Sequence, residues 1–132
     1  MNNQKEAIQA LIEEYKRVIH EGTAEDFLAI LSAENRCTLI SIATLYDGRE
    51  TIANEFLGKM RDLYTEIELI SESLDINQVD EDTAVVIFGY HTECQRRNTG
   101  EPYGIKGLET QVLKKEDDSW KIVHVHYSKV VD

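Results

Sequence analysis

The sequence lacks several features that would assign it to a functional class at once. Its 132 residues contain one proline and two cysteines, Cys37 and Cys94, which are far apart and in no CxxC spacing. This pattern indicates neither a zinc site nor a redox motif, so we expect buried free thiols, no metal ion and no cofactor. No stretch approaches the ~20 consecutive apolar residues of a membrane span, and no basic region followed by an apolar run opens the chain.

Basic residues are also scarce. The chain has 14 lysines and arginines against 25 aspartates and glutamates, a formal charge of -11 at pH 7. Such a charge repels nucleic acid and anionic membrane surfaces, and the only local basic pair is Arg96 and Arg97. We therefore expect no nucleic-acid partner, no membrane partner and a cytoplasmic location. With no linker or repeat, we predict a single domain over residues 1–132.

The N-terminal half carries the three- and four-residue spacing of amphipathic helices. Apolar residues follow this spacing over residues 7–19, and Gly22 ends the pattern. Thr23 then stands at the start of a second helix with Asp26 as its capping partner. The spacing returns over residues 49–63. The sequence therefore predicts three helices.

The remaining segments read as strands. Their apolar residues alternate or form short continuous runs, and glycine, asparagine and aspartate mark the turns between them. The predicted strands span residues 36–45, 66–77, 83–97, 103–113 and 120–130. We expect an α+β cone with a cystatin-like fold, in which three N-terminal helices pack on a curved, mostly antiparallel sheet. The first strand, before the third helix, should join an edge of that sheet.

The last hairpin holds the residues that suggest a binding site. Alternation places Trp120, His124 and His126 on one face of the final strand, and this mixture is unusual for a solvated surface. On the Glu109 face, the preceding strand would contribute His91. A carboxylate beside an imidazole raises the basicity of the ring and so makes a plausible proton acceptor. The candidate ligand-binding residues are Tyr15, His91, Glu109, Gln111, Trp120, His124 and His126, with His124 and Glu109 as the catalytic candidates.

A structural interpretation of the same residues stays open. The two C-terminal histidines could be core residues that bond to Glu109 and to a backbone carbonyl. Trp120 and Tyr15 could equally belong to the core. A bulge near Gly89 would turn His91 away from the cavity, because one extra residue exchanges the two faces of a strand.

Two segments carry a family resemblance. The turn at residues 47–50, between the first strand and the third helix, resembles the nuclear transport factor 2-like superfamily, which includes ketosteroid isomerase and SnoaL-like cyclases. Residues 108–112, the turn at residues 114–119 followed by Trp120, and residues 122–128 resemble the association (hub) domain of calcium/calmodulin-dependent protein kinase II and its bacterial relatives. The resemblance implies a cone with a deep polar pocket, a homodimer and, in hub domains, larger rings.

Two departures from the hub pattern bear on the ligand. His91 and Gln111 stand where hub domains carry arginines that receive carboxylates. Histidine binds a carboxylate with charge only when it is protonated, and glutamine carries no charge. A carboxylate ligand is therefore not expected from this resemblance.

Three functional hypotheses follow from the sequence. The first is a homodimer that binds an unknown small molecule in a pocket of histidine and glutamate side chains. The second is an isomerase or lyase that moves a proton on a small carbonyl compound, with a histidine or Glu109 as the base. The third is an assembly module, in which apolar residues on the outer sheet face build a dimer or ring. We place Val112, Val123, Val125 and Tyr127 on that outer face.

Overall fold

The computed structural model describes residues 3–130. Helices α1 and α2 span Asn3–Glu21 and Ala24–Ile30. Helix α3 has three consecutive parts, which are Arg49–Thr51, the π-helical Ile52–Phe56, and Leu57–Leu63. The strands are β1 Thr38–Ser41, β2 Thr44–Asp47, β3 Glu68–Ser71, β4 Asp75–Asp80, β5 Thr83–Gln95, β6 Pro102–Tyr103, β7 Lys106–Glu116 and β8 Ser119–Tyr127.

The strands form one mixed sheet. Its order is β2-β1-β8-β7-β5-β3, and β4 and β6 also pair with β5. All the strand pairs are antiparallel except β1 with β8, which run parallel. The three helices pack on this sheet, so the predicted α+β cone is confirmed. The outer bounds of the predicted domain, residues 1 and 132, lie outside the described residues.

Helix α1 covers the inner face of the sheet with the predicted apolar positions. Ile8, Ile12 and Val18 are each at most 1% exposed. A side chain at Gly22 would meet the Val18 backbone at 2.6 Å, so only glycine allows the chain to turn there. Thr23 and Asp26 form the expected capping box at the start of α2.

Helix α3 is tied to the end of α1. The Arg61 guanidinium donates to the carbonyls of Ile19, Val18 and Gly22 at 2.7, 2.7 and 2.8 Å. They belong to the C-terminal end of α1, where carbonyls run out of helical partners, although that of Val18 also accepts the Gly22 amide at 2.9 Å. The contact holds α3 against the end of α1, and both helices line the cavity described below.

Two predicted strands are each divided into two. Residues 36–45 were predicted as one strand, but the chain reverses between β1 and β2, where Ile42 has a φ of 61°. Residues 66–77 break between β3 and β4, where the Gly89 amide donates to Ser73 Oγ at 3.1 Å. Both breaks depend on pairing with another segment, so alternation within the strand does not reveal them.

Two features of strand pairing decide which residues face the helices. Phe88 of β5 lies directly opposite Glu109 of β7, so these two side chains share the inner face. Between β7 and β8, Val112 pairs with His124 and Leu113 with Ile122, which leaves Val123 as an extra residue. This bulge exchanges the two faces of β8 at Val123.

Among the helices described for residues 3–130, none is long and apolar enough to cross a membrane.

Candidate functional site

A cavity of about 280 Å³ lies between the inner face of the sheet and helices α1 and α3. This volume is near the lower limit of the ~300–1,000 Å³ typical of small-molecule sites. Most of its wall is apolar, and Phe56 and Met60 of α3 and Leu69 of β3 contribute to it. A molecule with few polar groups would therefore fit the cavity.

Glu109 provides the acid in the wall of this cavity. Its side chain is 2% exposed, and burial raises the pKa of its carboxyl from 4.5 to about 7. A hydrogen bond from Gln111 Nε2 to Glu109 Oε2, at 2.8 Å, and one from Tyr15 oppose this rise. The carboxyl is therefore close to half protonated at neutral pH, where it can either donate or accept a proton.

Tyrosine hydroxyls surround the acid. Tyr15 comes from α1, Tyr90 from β5 and Tyr127 from β8, and each is at most 9% exposed. Burial raises the pKa of all three phenols, that of Tyr127 to about 12. They therefore remain neutral over the pH range in which Glu109 titrates.

Aromatic side chains also border the mouth of the cavity. Tyr64 and Tyr103 stack face to face with their ring centroids 4.8 Å apart, and the Arg96 guanidinium lies 4.1 Å from the Tyr103 centroid. Lys59 and the partly exposed Ile42 line the same opening. This side of the cavity thus combines stacked aromatic rings with one lining cation, Lys59.

The three predicted site histidines lie outside this cavity, and their predicted facing is wrong. His91 adjoins Tyr90 on β5 and points the other way, where it contacts Glu72 at 2.7 Å and Glu93 at 3.1 Å. These two carboxylates raise the pKa of the ring. The prediction placed His91 on the Glu109 face, but the register pairs Phe88 with Glu109, so Phe88 and Tyr90 share that face and His91 lies on the other.

His124 and His126 are turned outward by the bulge at Val123. His124 Nδ1 lies 2.6 Å from Thr38 Oγ1, and burial and the neighbouring His126 lower its pKa. His126 is exposed. Val125 and Tyr127, predicted on the outer face, are buried on the inner face for the same reason.

Of the other predicted residues, Tyr15 and Glu109 line the cavity, whereas Gln111 and Trp120 do not. Gln111 is fully buried and donates a hydrogen bond to the Glu109 carboxyl. Trp120 donates through Nε1 to Gln4 Oε1 at 2.9 Å and so joins α1 to the β7–β8 hairpin. A role in ligand binding stays a prediction for Tyr15 and Glu109.

The sequence reasoning missed most of the tyrosines. Five of the six tyrosines in the chain line the cavity, and only one of the five was predicted. The signal was available, because tyrosine is twice as frequent here as phenylalanine, and Phe88 and Tyr90 alternate with the outward Ile87 and Gly89. A buried tyrosine hydroxyl requires a polar partner, so such an excess indicates polar groups within an otherwise apolar cavity.

The fold and this cavity define a class, the nuclear transport factor 2-like cone. A protein of that superfamily from Salmonella enterica superposes with a TM-score of 0.91 and 26% identity, over 99% of this chain and 94% of the other. The model of the SnoaL-like domain family matches residues 8–132. The chain therefore belongs to the SnoaL-like domain family.

Two further structures are similar in fold. One, from Streptomyces avermitilis, is provisionally named a dehydratase of the same superfamily and matches with 15% identity and a TM-score of 0.88 over all of both chains. The other, from Xanthomonas campestris, is provisionally named a calcium/calmodulin-dependent protein kinase II association domain. It matches with 19% identity and a TM-score of 0.79, over 95% of this chain and 86% of the other. No curated protein matches the sequence significantly.

Proposed function

We propose that this protein binds a small, largely apolar molecule in the cone cavity and that Glu109 contacts a polar oxygen of that molecule. The cavity wall supplies apolar contact, while polar groups concentrate around one buried acid. A few convergent polar groups in an apolar pocket are typical of small-molecule sites. The observation that supports the proposal most strongly is the buried carboxyl of Glu109, whose pKa is about 7.

The cost of burying that carboxyl supports a functional role. A buried acid in an apolar wall destabilises the fold whenever it ionises, and an apolar residue of similar size would avoid this cost. Glu109 nevertheless has two donors directed at it, from Tyr15 and Gln111. Groups with a strongly shifted pKa in a cavity are more frequent at functional sites than elsewhere.

The pKa also favours a second candidate function, an enzyme that moves a proton with Glu109 as both acid and base. General acid–base catalysis is most efficient when the pKa of the catalytic group lies near the working pH. Of the described residues that line the cavity, Glu109 is the only one with a carboxyl, so one group would serve in both steps. The similar Streptomyces protein, provisionally named a dehydratase, is consistent with this candidate.

The test of binding is thermal stabilisation by a panel of cyclic alcohols and ketones. We expect some of them to raise the melting temperature of the wild-type protein. The increase should be lost or strongly reduced in Glu109→Gln or Tyr90→Phe. The matched controls are His91→Asn and His124→Asn, which change the outer face of β5 and β8 and should respond like wild type. If the outer-face variants lose the response and the inner-face variants keep it, the cavity is not the site.

Turnover of a stabilising compound, lost in Glu109→Gln, would separate the enzyme from the binding protein.

We also propose that the protein forms a homodimer through the outer face of the sheet. Ile87 and Leu108 are 40% and 59% exposed there, and Leu45 is 56% exposed. Cross-strand pairing aligns Leu45, Ile40, His126, Thr110 and Ile87 in one row. A surface that pairs with itself about a twofold axis would cover these side chains.

Light scattering after size exclusion tests the dimer. Leu108→Glu should reduce the mass to that of one chain, whereas Leu63→Glu, which changes an exposed apolar residue of α3 on the other side of the sheet, should leave the dimer intact. A wild-type mass of one chain would contradict the proposal, and a larger mass would extend it to a ring.

A further inference from the structure

The hydroxyl of Tyr90 has its proton committed. It donates to the backbone carbonyl of Ser128 at 2.6 Å, and a phenol has one O–H donor. A carbonyl oxygen cannot donate in return. Tyr90 therefore offers the cavity only its oxygen, as a hydrogen-bond acceptor.

The donors nearest to Glu109 are committed as well. Gln111 donates to the carboxyl at 2.8 Å, and hydrogen bonding from the Tyr15 hydroxyl lowers the pKa of the same carboxyl. The hydroxyls of Ser41 and Tyr127 bond to each other, so only one of their two protons stays available. The polar groups around Glu109 therefore offer more acceptors than donors.

From these contacts we propose that the group of the ligand that reaches Glu109 is a hydroxyl, of an alcohol or a phenol, rather than a carbonyl or a carboxylate. The inference rests on the function proposed above and narrows its ligand class. A hydroxyl donates one hydrogen bond and accepts others, so it can donate to the Tyr90 oxygen while it accepts from neutral Glu109, or donate to Glu109 when that carboxyl is ionised. A carbonyl only accepts, and a carboxylate would also be repelled by ionised Glu109.

The two ligand classes differ in pH dependence. A carbonyl that reaches Glu109 can pair with it only through the proton of the neutral carboxyl, so its affinity falls as the pH rises through about 7. An alcohol retains a partner on both sides of that pH, because it donates to the ionised carboxyl.

The titratable groups that share the cavity with Glu109 are Tyr15, Lys59, Tyr64, Tyr90, Cys94, Tyr103 and Tyr127. Burial raises the pKa of Tyr15, Tyr64, Tyr90, Cys94 and Tyr127, which therefore stay protonated between about pH 5.5 and 8.5.

Three matched probes separate these possibilities, namely α-tetralol, α-tetralone and the parent hydrocarbon tetralin. Calorimetric titration at about pH 8.5 should give about tenfold tighter binding of the alcohol than of the ketone, because an unpaired buried acceptor is costly. At about pH 5.5 the difference in affinity between alcohol and ketone should shrink, since neutral Glu109 can donate a hydrogen bond to either probe. Tetralin should bind weakly and with no dependence on pH.

Variants assign the preference to its source. Glu109→Gln presents an N–H donor at every pH, so the ketone should bind equally at both pH values. Tyr90→Phe removes an acceptor and, at about pH 5.5 where neutral Glu109 donates, should weaken the alcohol more than the ketone. His124→Asn, on the outer face, should leave all three affinities unchanged. An alcohol preference at about pH 8.5 that is as large in Glu109→Gln as in the wild-type protein would overturn the inference.

Failure of the inference differs from failure of the proposed function. If the ketone binds the wild-type protein at about pH 8.5 as tightly as the alcohol, the hydroxyl class is wrong while the cavity remains a binding site. If none of the three probes binds at either pH, the proposed function itself is rejected.

Discussion

The two faces of the central strands have opposite chemistry. The inner face presents Glu109 among tyrosines, with apolar helices above it, and burial raises the pKa of this acid to about 7. The outer face presents His91 between two glutamates and His124 beside a threonine hydroxyl. On the inner face, burial is the main cause of the raised pKa of Glu109. On the outer face, both histidines have hydrogen-bonding partners.

The face of the strand on which a residue lies decides the chemistry of its side chain. Tyr90 and His91 are neighbours in sequence, yet the first lines the cavity and the second forms surface ion pairs. On β8 the single extra residue Val123 moves two histidines out of the cavity and moves Tyr127 into it. The predictions below therefore change one face and use the other as the reference.

The largest effect is expected for Glu109→Gln. Because the folded-state pKa is raised from 4.5 to about 7, the wild-type fold is favoured below pH 4.5 and loses stability as the pH rises through 7. The shift corresponds to about 3 kcal/mol. The stability of Glu109→Gln relative to wild type should therefore increase by about this amount between pH 4.5 and 8. Urea unfolding at both pH values measures the change, and Glu55→Gln, an exposed acid on α3, is the control that should show none.

A smaller effect is expected for Gln111→Leu. The variant removes the donor that lowers the pKa of Glu109, so that pKa should rise further, by about one unit for a hydrogen bond to a charged group. It also removes Gln111 Oε1, a buried oxygen with no partner. The ketone affinity should then persist to higher pH than in wild type. An unchanged pKa would show that Gln111 only fills space.

On the outer face, His124→Asn should act with the opposite sign. Burial lowers the pKa of His124, so the wild-type contribution is fully present above pH 6.5 and is lost as the pH falls through the folded-state pKa. The free energy of unfolding of the variant should therefore fall less than that of the wild-type protein as the pH is lowered. The difference should be less than about 1 kcal/mol, because the ring is partly exposed. His126→Asn is the matched comparison. Equal pH profiles of wild type and His124→Asn would contradict the assignment.

The smallest effect is expected at the mouth of the cavity. Ile42 has a φ of 61°, a conformation that β-branched residues rarely adopt. Ile42→Gly should relieve about 1 kcal/mol of backbone strain and lose a similar amount of apolar contact. We therefore expect little change in melting temperature but weaker ligand binding. A large loss of stability would show that the side chain is structural.

The sequence predicted elements that depend on local pattern. The α1 spacing, the capping box of Thr23 and the family resemblance needed only neighbouring residues. The structure confirms the first two, and the match to the SnoaL-like domain family confirms the third. The site depended on pairing between distant strands. Neither β5 nor β7 specifies by itself that Phe88 faces Glu109, and the bulge at Val123 interrupts an otherwise regular alternation. The three histidines were therefore placed on the wrong face.

The most direct test of the raised pKa of Glu109 is a pH titration of the NMR signal of its carboxyl carbon. Carbon-13 NMR of glutamate-labelled protein, with Glu109→Gln to assign the resonance, reports the pKa of this one group. We predict a midpoint near pH 7, shifted by ligands that enter the cavity. A midpoint near 4.5, unaffected by Gln111→Leu, would contradict the central claim that Glu109 is a buried acid in the cavity wall with a pKa of about 7.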